Sequence, residues 1–451
     1  MPRGPRNLRI FCDGAGLTSF GGVALLHAFF QRLGVRGQIQ RWVRFRQRNN
    51  DYTIGEGIES LLYPLILGLG RVETTEPLRR NGVFLYLAGL PRYPEATTLR
   101  RFLQRFARHG RDKFVALHDR WRKEMLCRPR RPRTVIFDLD TTVLTVYGRQ
   151  RQSAVGFNPH KRGRRSYLPL LCFEGGTGDV FYGSYHPGDT HPSSVIGVLL
   201  QDVFAKCPAH LRRVCVRADG AFFDHKIVEF IEEKRGFYAI VARLTRPLQN
   251  RLGGLRYRRI GPGVSAAQFQ YCPQDWKRPR RFVVIRRPIP EEPSAQLHLF
   301  QMRGYTYQAL VTNLALKPLN LWRFYNRRAT AELIIRELKD AYALGKIPTQ
   351  DFAANESFFQ IALLAYNLLN WFKRLCVPPR WQRTTLGRMR QRFLVVPAQL
   401  VHPAGVPTLR IAPGYIYSDD FLETLRRIKT VRPLLEENTT PKRLPPKRRR
   451  T

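Results

Sequence analysis

The sequence predicts an α/β protein of several domains, and three observations lead there. Residues 1–133 carry apolar residues at helical spacing. Residues 134–236 alternate short β-branched and aromatic runs with helical ones. Residues 237–304 are dense in strand-like runs, and long helical patterns return after them. The expected division is a helical N-terminal domain at 1–133, an α/β core at 134–236 and 305–410, a β-rich insertion at 237–304, and a C-terminal region with a basic tail at 411–451.

Taken in order, 23–33 and 58–69 repeat apolar residues every three or four positions, as amphipathic helices do. At 95–103 a helix start is expected, with Thr97 or Thr98 supplying the capping oxygen and an Arg-rich helix following. Exposed arginines on such a helix favour DNA docking over a merely solvated face, so residues 1–133 are the expected DNA-binding domain. The run Arg128-Pro129-Arg130-Arg131-Pro132-Arg133 reads as a linker. Strands are expected at 134–139, 167–173 and 180–185, with Gly175 to Asp179 as a hairpin loop. A helix at 193–205, a strand at 213–218 and a helix at 227–234 complete a mixed sheet flanked by helices. Further strands are expected at 237–244, 282–285, 296–301 and 307–312, and helices at 319–344 and 357–375. The last of these is apolar nearly all round and reads as buried. The tail KRLPPKRRR at 442–450 reads as a disordered segment with nonspecific phosphate affinity.

The chain has 451 residues, 43% of them hydrophobic, which suffices for a large core and excludes global disorder. It carries 77 Lys and Arg against 34 Asp and Glu, a formal charge of +43. Such an excess calls for a polyanion, and nucleic acid is the first candidate. A membrane surface fits less well, since neither a spanning segment nor a basic amphipathic anchor is visible. The seven cysteines form no CxxC pair, so a zinc ribbon and a disulfide framework are not expected, and most read as core thiols. With no signal peptide evident, the cytoplasm is the expected compartment.

Against this basic background, acidic residues at strand ends stand out. Asp138 and Asp140 close the first strand of the core and share one face by alternation. Asp219 follows the strand at 213–218 and precedes Gly220. Two such strands in one sheet can bring carboxylates together, and Mg²⁺ prefers hard oxygen ligands of this kind, one or two from protein and the rest from water and phosphate. The plainer alternative is that each Asp caps the turn after it. Tyr325, Arg328, Glu332 and Lys339 follow at steps of three, four and seven residues. On one continuous helix they fall within about 60° of arc, at roughly 100° per residue. Ile335, Leu338 and Tyr342 take a neighbouring arc and are expected to face the core. A solvated stripe with an Arg328–Glu332 ion pair is the competing reading.

The Tyr325, Arg328, Glu332, Lys339 spacing resembles the Y-R-E-K signature of DDE transposases from bacterial insertion sequences. The segments Asp140-Thr141-Thr142 and Arg217-Ala218-Asp219-Gly220 resemble those that hold the first and second acidic residues of that family. GFNPHKRGRRSYLPLLCF (156–173), HPGDTHPSS (186–194) and RFLVVPAQLVHPAG (392–405) are similar to stretches of one branch, the insertion sequence 1380 family. The resemblance runs from about residue 75 to about residue 410.

It implies an RNase H-like catalytic core, with Asp140, Asp219 and Glu332 as catalytic metal ligands for two Mg²⁺ or Mn²⁺ ions. Asp140 is preferred to Asp138, an extra carboxylate on the same face. It implies cut-and-paste transposition, meaning endonuclease cleavage at the transposon ends and strand transfer by the freed 3′-OH. Tyr325, Arg328 and Lys339 become expected DNA-binding residues. Trp276 and Trp322 are alternative partners for a flipped base, with core packing open for both. The expected partners are the terminal inverted repeats and target DNA, held by a dimer in a synaptic complex, in the bacterial cytoplasm at the nucleoid. A DNA-binding relic without catalysis and an RNase H-like nuclease that only hydrolyses are the rival classes.

Overall fold

The computed structural model describes residues 10–47, 51–128, 130–156, 158–159, 161–289, 300–302 and 304–435. The basic tail, Pro129 of the linker and residues 296–299 of one expected strand lie outside them. The chain divides into two compact units, residues 1–117 with 368–451, and residues 118–367. The divisions fall inside the helices Arg111–Leu126 and Phe352–Leu375 rather than at residues 133 and 410.

The first unit is built from helices α1 (Val23–Leu33), α2 (Val35–Trp42), α3 (Ile54–Leu67), α4 (Gly82–Ala88) and α5 (Ala96–His109). A capping box opens α3, where the Thr53 side chain accepts from the Glu56 N–H and Glu56 accepts from the Thr53 N–H. The helix α5 starts differently from expectation. Glu95 is extended and takes the capping position, and Thr97 and Thr98 already lie in the first turn. The Glu95 backbone carbonyl accepts from the Leu99 N–H at 2.9 Å, and no side chain caps the helix. The C-terminal part adds the helices Leu386–Phe393 and Ser418–Ile428, and a three-stranded sheet of Leu17–Thr18, Ala398–Val401 and Thr408–Ile411.

The second unit begins within α6 (Arg111–Leu126) and holds the ten-stranded sheet. Its elements are β1 (Thr134–Thr141), β2 (Leu170–Glu174), β3 (Val180–Ser184), α7 (Pro192–Ala205), β4 (Arg213–Ala218), α8 (His225–Glu233), β5 (Phe237–Val241) and α9 (Arg246–Leu252). Then come β6 (Arg258–Gly261), β7 (Val264–Tyr271), β8 (Arg280–Pro288), β9 (Phe300–Met302), β10 (Tyr305–Thr312), α10 (Pro318–Asn326), α11 (Ala329–Ala341) and α12 (Phe352–Leu375). The sheet order is β6-β7-β8-β10-β5-β4-β1-β2-β3, with β9 on β10. β2 and β3 run antiparallel on one side of β1, and β4 and β5 run parallel on the other.

One face of the sheet buries Val135, Phe137, Leu139, Val216, Ala218, Tyr238 and Ile240 against α7 and α8. A smaller cluster on the other face includes Ala239, Val283, Leu310, Leu321 and Tyr325. β1 is covered on this face too, where Ile136 packs against the cluster and Asp138 and Asp140 are buried. The β-rich stretch does not stand apart as an inserted subdomain. β10 pairs with β5 through Leu310 opposite Val241, so β6 to β10 extend the same sheet. The expected strand at 167–173 is broken, since Arg165–Tyr167 pairs in a separate small sheet and β2 begins at Leu170. Of the cysteines, Cys172, Cys215 and Cys376 are buried and Cys12 and Cys272 are exposed, so the expectation of mostly core thiols holds for only three. Among the described residues no helix is long and apolar enough to cross a membrane.

Candidate active site

The parallel register of β1 and β4 sets the site. Leu139 stands opposite Ala218, so the next residues, Asp140 and Asp219, emerge side by side at the carboxyl ends of the two strands. Crevices at such strand ends are where open α/β sheets bind ligands. Asp140 is buried, and its Oδ1 accepts from the Thr141 N–H at 2.8 Å. Asp219 caps the turn after β4, with Oδ1 accepting from the Ala221 N–H at 3.0 Å. The capping reading and the converging reading are thus both true of it.

The expected helix at 319–344 is two helices. α10 ends at Asn326 and α11 begins at Ala329, with Arg328 at its N-cap. Tyr325 therefore does not share a continuous stripe with Glu332 and Lys339. The break places Arg328 inside the site. Its Nη2 lies 3.1 Å from Asp140 Oδ1 and 3.6 Å from Asp219 Oδ2, and its Nη1 lies 3.6 Å from Glu332 Oε1. Nη2 also donates to the Leu139 carbonyl at 3.0 Å. One buried guanidinium thus gathers the three expected acidic residues. Glu332 sits in the first turn of α11 and is 65% exposed, so it reaches the group from the solvent side.

The electrostatics follow from this crowding. Burial pushes the Asp140 carboxyl up to about 6 against the pull of Arg328, and the charges of Asp219 and Glu332 add to the rise. Burial alone would lower Arg328, but Asp140, Tyr325, Asp219 and Glu332 hold it above its ordinary value. Tyr325 is buried among Leu321, Leu310 and Val283, and burial pushes its phenol up to about 12. Burial lowers Lys339, while Asp340 and Asp140 draw it the other way. Tyr325 and Arg328 point inward here, whereas Lys339 lines an open cavity of about 670 Å³ with Asp140 and Asp219.

Carboxylate oxygens are the donors that Mg²⁺ and Mn²⁺ take, so the donor chemistry fits. Asp140 and Asp219 already meet at one nitrogen of a cation. Among the described residues no three Asp, Glu, His or Cys side chains stand close enough to share one ion. Arg328 holds the centre of the group.

The profile of one protein family, transposase DDE domain group 1, matches residues 2–433. The chain belongs to this family. No curated protein matches it. Among solved structures, it is similar to the piggyBac transposase synaptic complex with hairpin DNA, determined by cryo-electron microscopy. That similarity is at 11% identity and a TM-score of 0.47, over 84% of this chain and 81% of that one.

Several site features of this DDE transposase-family chain escaped the sequence reading. Arg243 donates to the Gly220 carbonyl at 2.8 Å and the Ala221 carbonyl at 3.3 Å, so it fixes the turn that carries Asp219. His191 caps α7 and lines the cavity with Arg243. The segment 186–194 stands out in the sequence only through its resemblance, and nothing there marks Arg243. Asp138 shares the face of Asp140 but has a different task. It is buried in a two-pronged ion pair with Arg217, Nε to Oδ1 at 2.6 Å and Nη2 to Oδ2 at 2.7 Å. Gly175 covers that pair. A Cβ there would stand 2.7 Å from Arg217 Nη2 and 3.0 Å from Asp138 Oδ2. Trp276 is buried against Phe223 and Phe282, which is the core-packing reading, and Trp322 is half-buried.

Proposed function

We propose that this chain is a DNA transposase that cuts at transposon ends and joins the freed 3′-OH to target DNA by a cut-and-paste route. The observation that carries the reading is the gathering of Asp140, Asp219 and Glu332 around Arg328 at the carboxyl ends of β1 and β4. The strand order β3-β2-β1-β4-β5 supports an RNase H-like core, with an antiparallel hairpin on one side of β1 and two helix-connected parallel strands on the other.

Asp140, Asp219 and Glu332 would hold the Mg²⁺ or Mn²⁺ ions. When bound, two such ions supply Lewis-acid stabilisation to the attacking and leaving oxygens of an in-line phosphodiester displacement. The residues of the chain do the rest. Asp140 ionises to ligate, Arg328 keeps Asp140 and Asp219 aimed at one point, and Arg243 holds the Asp219 turn. Lys339 lines the cavity from α11 and grips a flanking phosphate. Tyr325 packs beneath and fixes the junction of α10 and α11. The charge of +43 suits simultaneous binding of transposon ends and target, with a dimer holding two ends together.

Cleavage and strand transfer on DNA carrying the element's own ends test the reading. Joined products should need Mg²⁺ or Mn²⁺ and vanish in Glu332→Gln while DNA binding persists. Cutting without joining would point to a nuclease, and binding without cutting to a relic.

A further inference from the structure

The helix α5 has three kinds of surface. Leu99, Leu103 and Phe106 are buried. Phe102 packs so closely on α3 that a Cβ at Gly57 would lie 2.7 Å from its ring, and it stacks with Phe106 at 5.7 Å. Thr97, Arg101, Gln104 and Arg108 are all exposed, at steps of four, three and four residues. That spacing aligns them within about 60° of arc over about 16 Å of helix. A rigidly seated helix therefore presents one straight polar stripe.

The charge on the stripe is uncompensated. α5 contains no acidic residue and is the longest described helix of which this is true. The acids near its start are neutralised elsewhere. Glu95 pairs with Arg79 at 2.9 Å, and Glu73 pairs with Arg100, which is off the stripe. Among the described residues Thr97, Arg101, Gln104 and Arg108 have no side-chain partner. A merely solvated helix face mixes both signs, as Ser418–Ile428 does with Asp419, Glu423 and Arg426.

The composition of the stripe suits bases as well as phosphates. An arginine fork matches the O6 and N7 acceptors of guanine, a glutamine amide matches the N6 and N7 of adenine, and a threonine methyl meets that of thymine. The major groove, about 12 Å wide, accepts one α-helix.

We infer that α5 is the element that reads DNA sequence, seated in the major groove with Arg101, Gln104 and Arg108 on base edges and Thr97 at its leading end. The inference rests on the proposed transposase function and names the part that gives it sequence preference.

The test is selection from random-sequence duplexes by the full chain, repeated with Gln104→Ala and Arg101→Lys. Both changes are on the surface, and unchanged melting temperatures show that the fold is intact. The wild type should enrich a motif. Gln104→Ala, which leaves the charge unaltered, should flatten one position of it by about tenfold. Arg101→Lys, which keeps the charge but loses the fork, should flatten a neighbouring position. Affinity for unselected duplex should stay within about twofold in both. If both variants keep the wild-type motif at full strength, the inference is overturned. A wild type that binds duplexes without enriching any motif overturns it too, while leaving the transposase reading intact. A wild type that binds no duplex at all removes both.

Discussion

Arg328 and Asp140 form a buried ion pair, Nη2 to Oδ1 at 3.1 Å, and the same nitrogen donates to the carbonyl of Leu139 beside Asp140. The guanidinium thus holds both the backbone and the carboxylate of the β1 end. It also faces Asp219 and Glu332, so its charge offsets the repulsion among three carboxylates drawn from two strands and a helix. It is the cation around which the three carboxylates are assembled.

Removing that cation should loosen the unit. Arg328→Ala leaves a buried carboxylate without its partner, a change that typically costs about 3–5 kcal/mol. Divalent cations then have more repulsion to relieve. Thermal unfolding in EDTA should show a lower midpoint for Arg328→Ala than for the wild type, and Mg²⁺ should raise the midpoint more in the variant. Equal Mg²⁺ shifts in the two proteins would argue against a shared position for the guanidinium charge and the metal.

A pH dependence follows from Asp140, whose carboxyl is raised from 3.8 to about 6, by burial first. The folded state holds this proton more tightly than the unfolded state does. The group's contribution to stability is therefore greatest below 3.8 and is lost as pH rises through about 6. Cation binding runs the other way, since the protonated acid does not ligate. Mn²⁺ affinity, followed by calorimetry, should strengthen between pH 5 and pH 7, about the window set by the raised carboxyl. Asp140→Asn should remove the stability slope between pH 3.8 and about 6, measured in EDTA, and a slope that survives would assign it to another group.

The two acids of β1 should separate by phenotype. Asp138 is sealed in its pair with Arg217, whose Nη1 also donates to the Phe324 carbonyl at 2.5 Å. Asp138→Ala should cost about 3–5 kcal/mol, because it strands a buried guanidinium. Asp219→Asn keeps an oxygen for the Ala221 N–H at a partly exposed position, so it should cost under about 1 kcal/mol. Urea unfolding of the two variants checks this. A mild effect at Asp138 beside a severe one at Asp219 would reverse their roles.

That contrast shows how far the sequence carries. Alternation puts Asp138 and Asp140 on one face, but what stands opposite each depends on β1 pairing in register with β4. Arg217 becomes a partner only through that pairing. The core strands at 134–139 and 213–218 were legible because buried strands are dense in β-branched and aromatic residues. The junction at Arg327 and Arg328 was not, since neither Gly nor Pro marks it. It is held by contacts distant in sequence, Arg217 to Phe324 and Arg328 to Leu139. The same limit explains the β-rich stretch. Its strands could be recognised one by one, but their joining to β5 rests on Leu310 meeting Val241, which no local pattern encodes.

The two tryptophans give a last contrast. Trp276 has its ring centroid 5.2 Å from that of Phe223, with the Arg280 guanidinium 5.5 Å from its own. Its backbone carbonyl accepts from the Cys272 thiol at 3.0 Å. A ring enclosed in this way contributes buried area and shape, and truncating it leaves a cavity that its rigid neighbours fill only in part. Trp276→Ala should therefore cost about 3–5 kcal/mol. Trp322 is half-buried on the other face of the sheet, with Arg287 5.8 Å from its ring. Because water already reaches part of that ring, Trp322→Ala should cost less, about 1–2 kcal/mol. Measured denaturation midpoints should thus fall further for Trp276→Ala. If Trp276→Ala instead unfolds like the wild type and loses affinity for DNA with an unpaired base at the cleavage site, the ring leaves the core to hold that base.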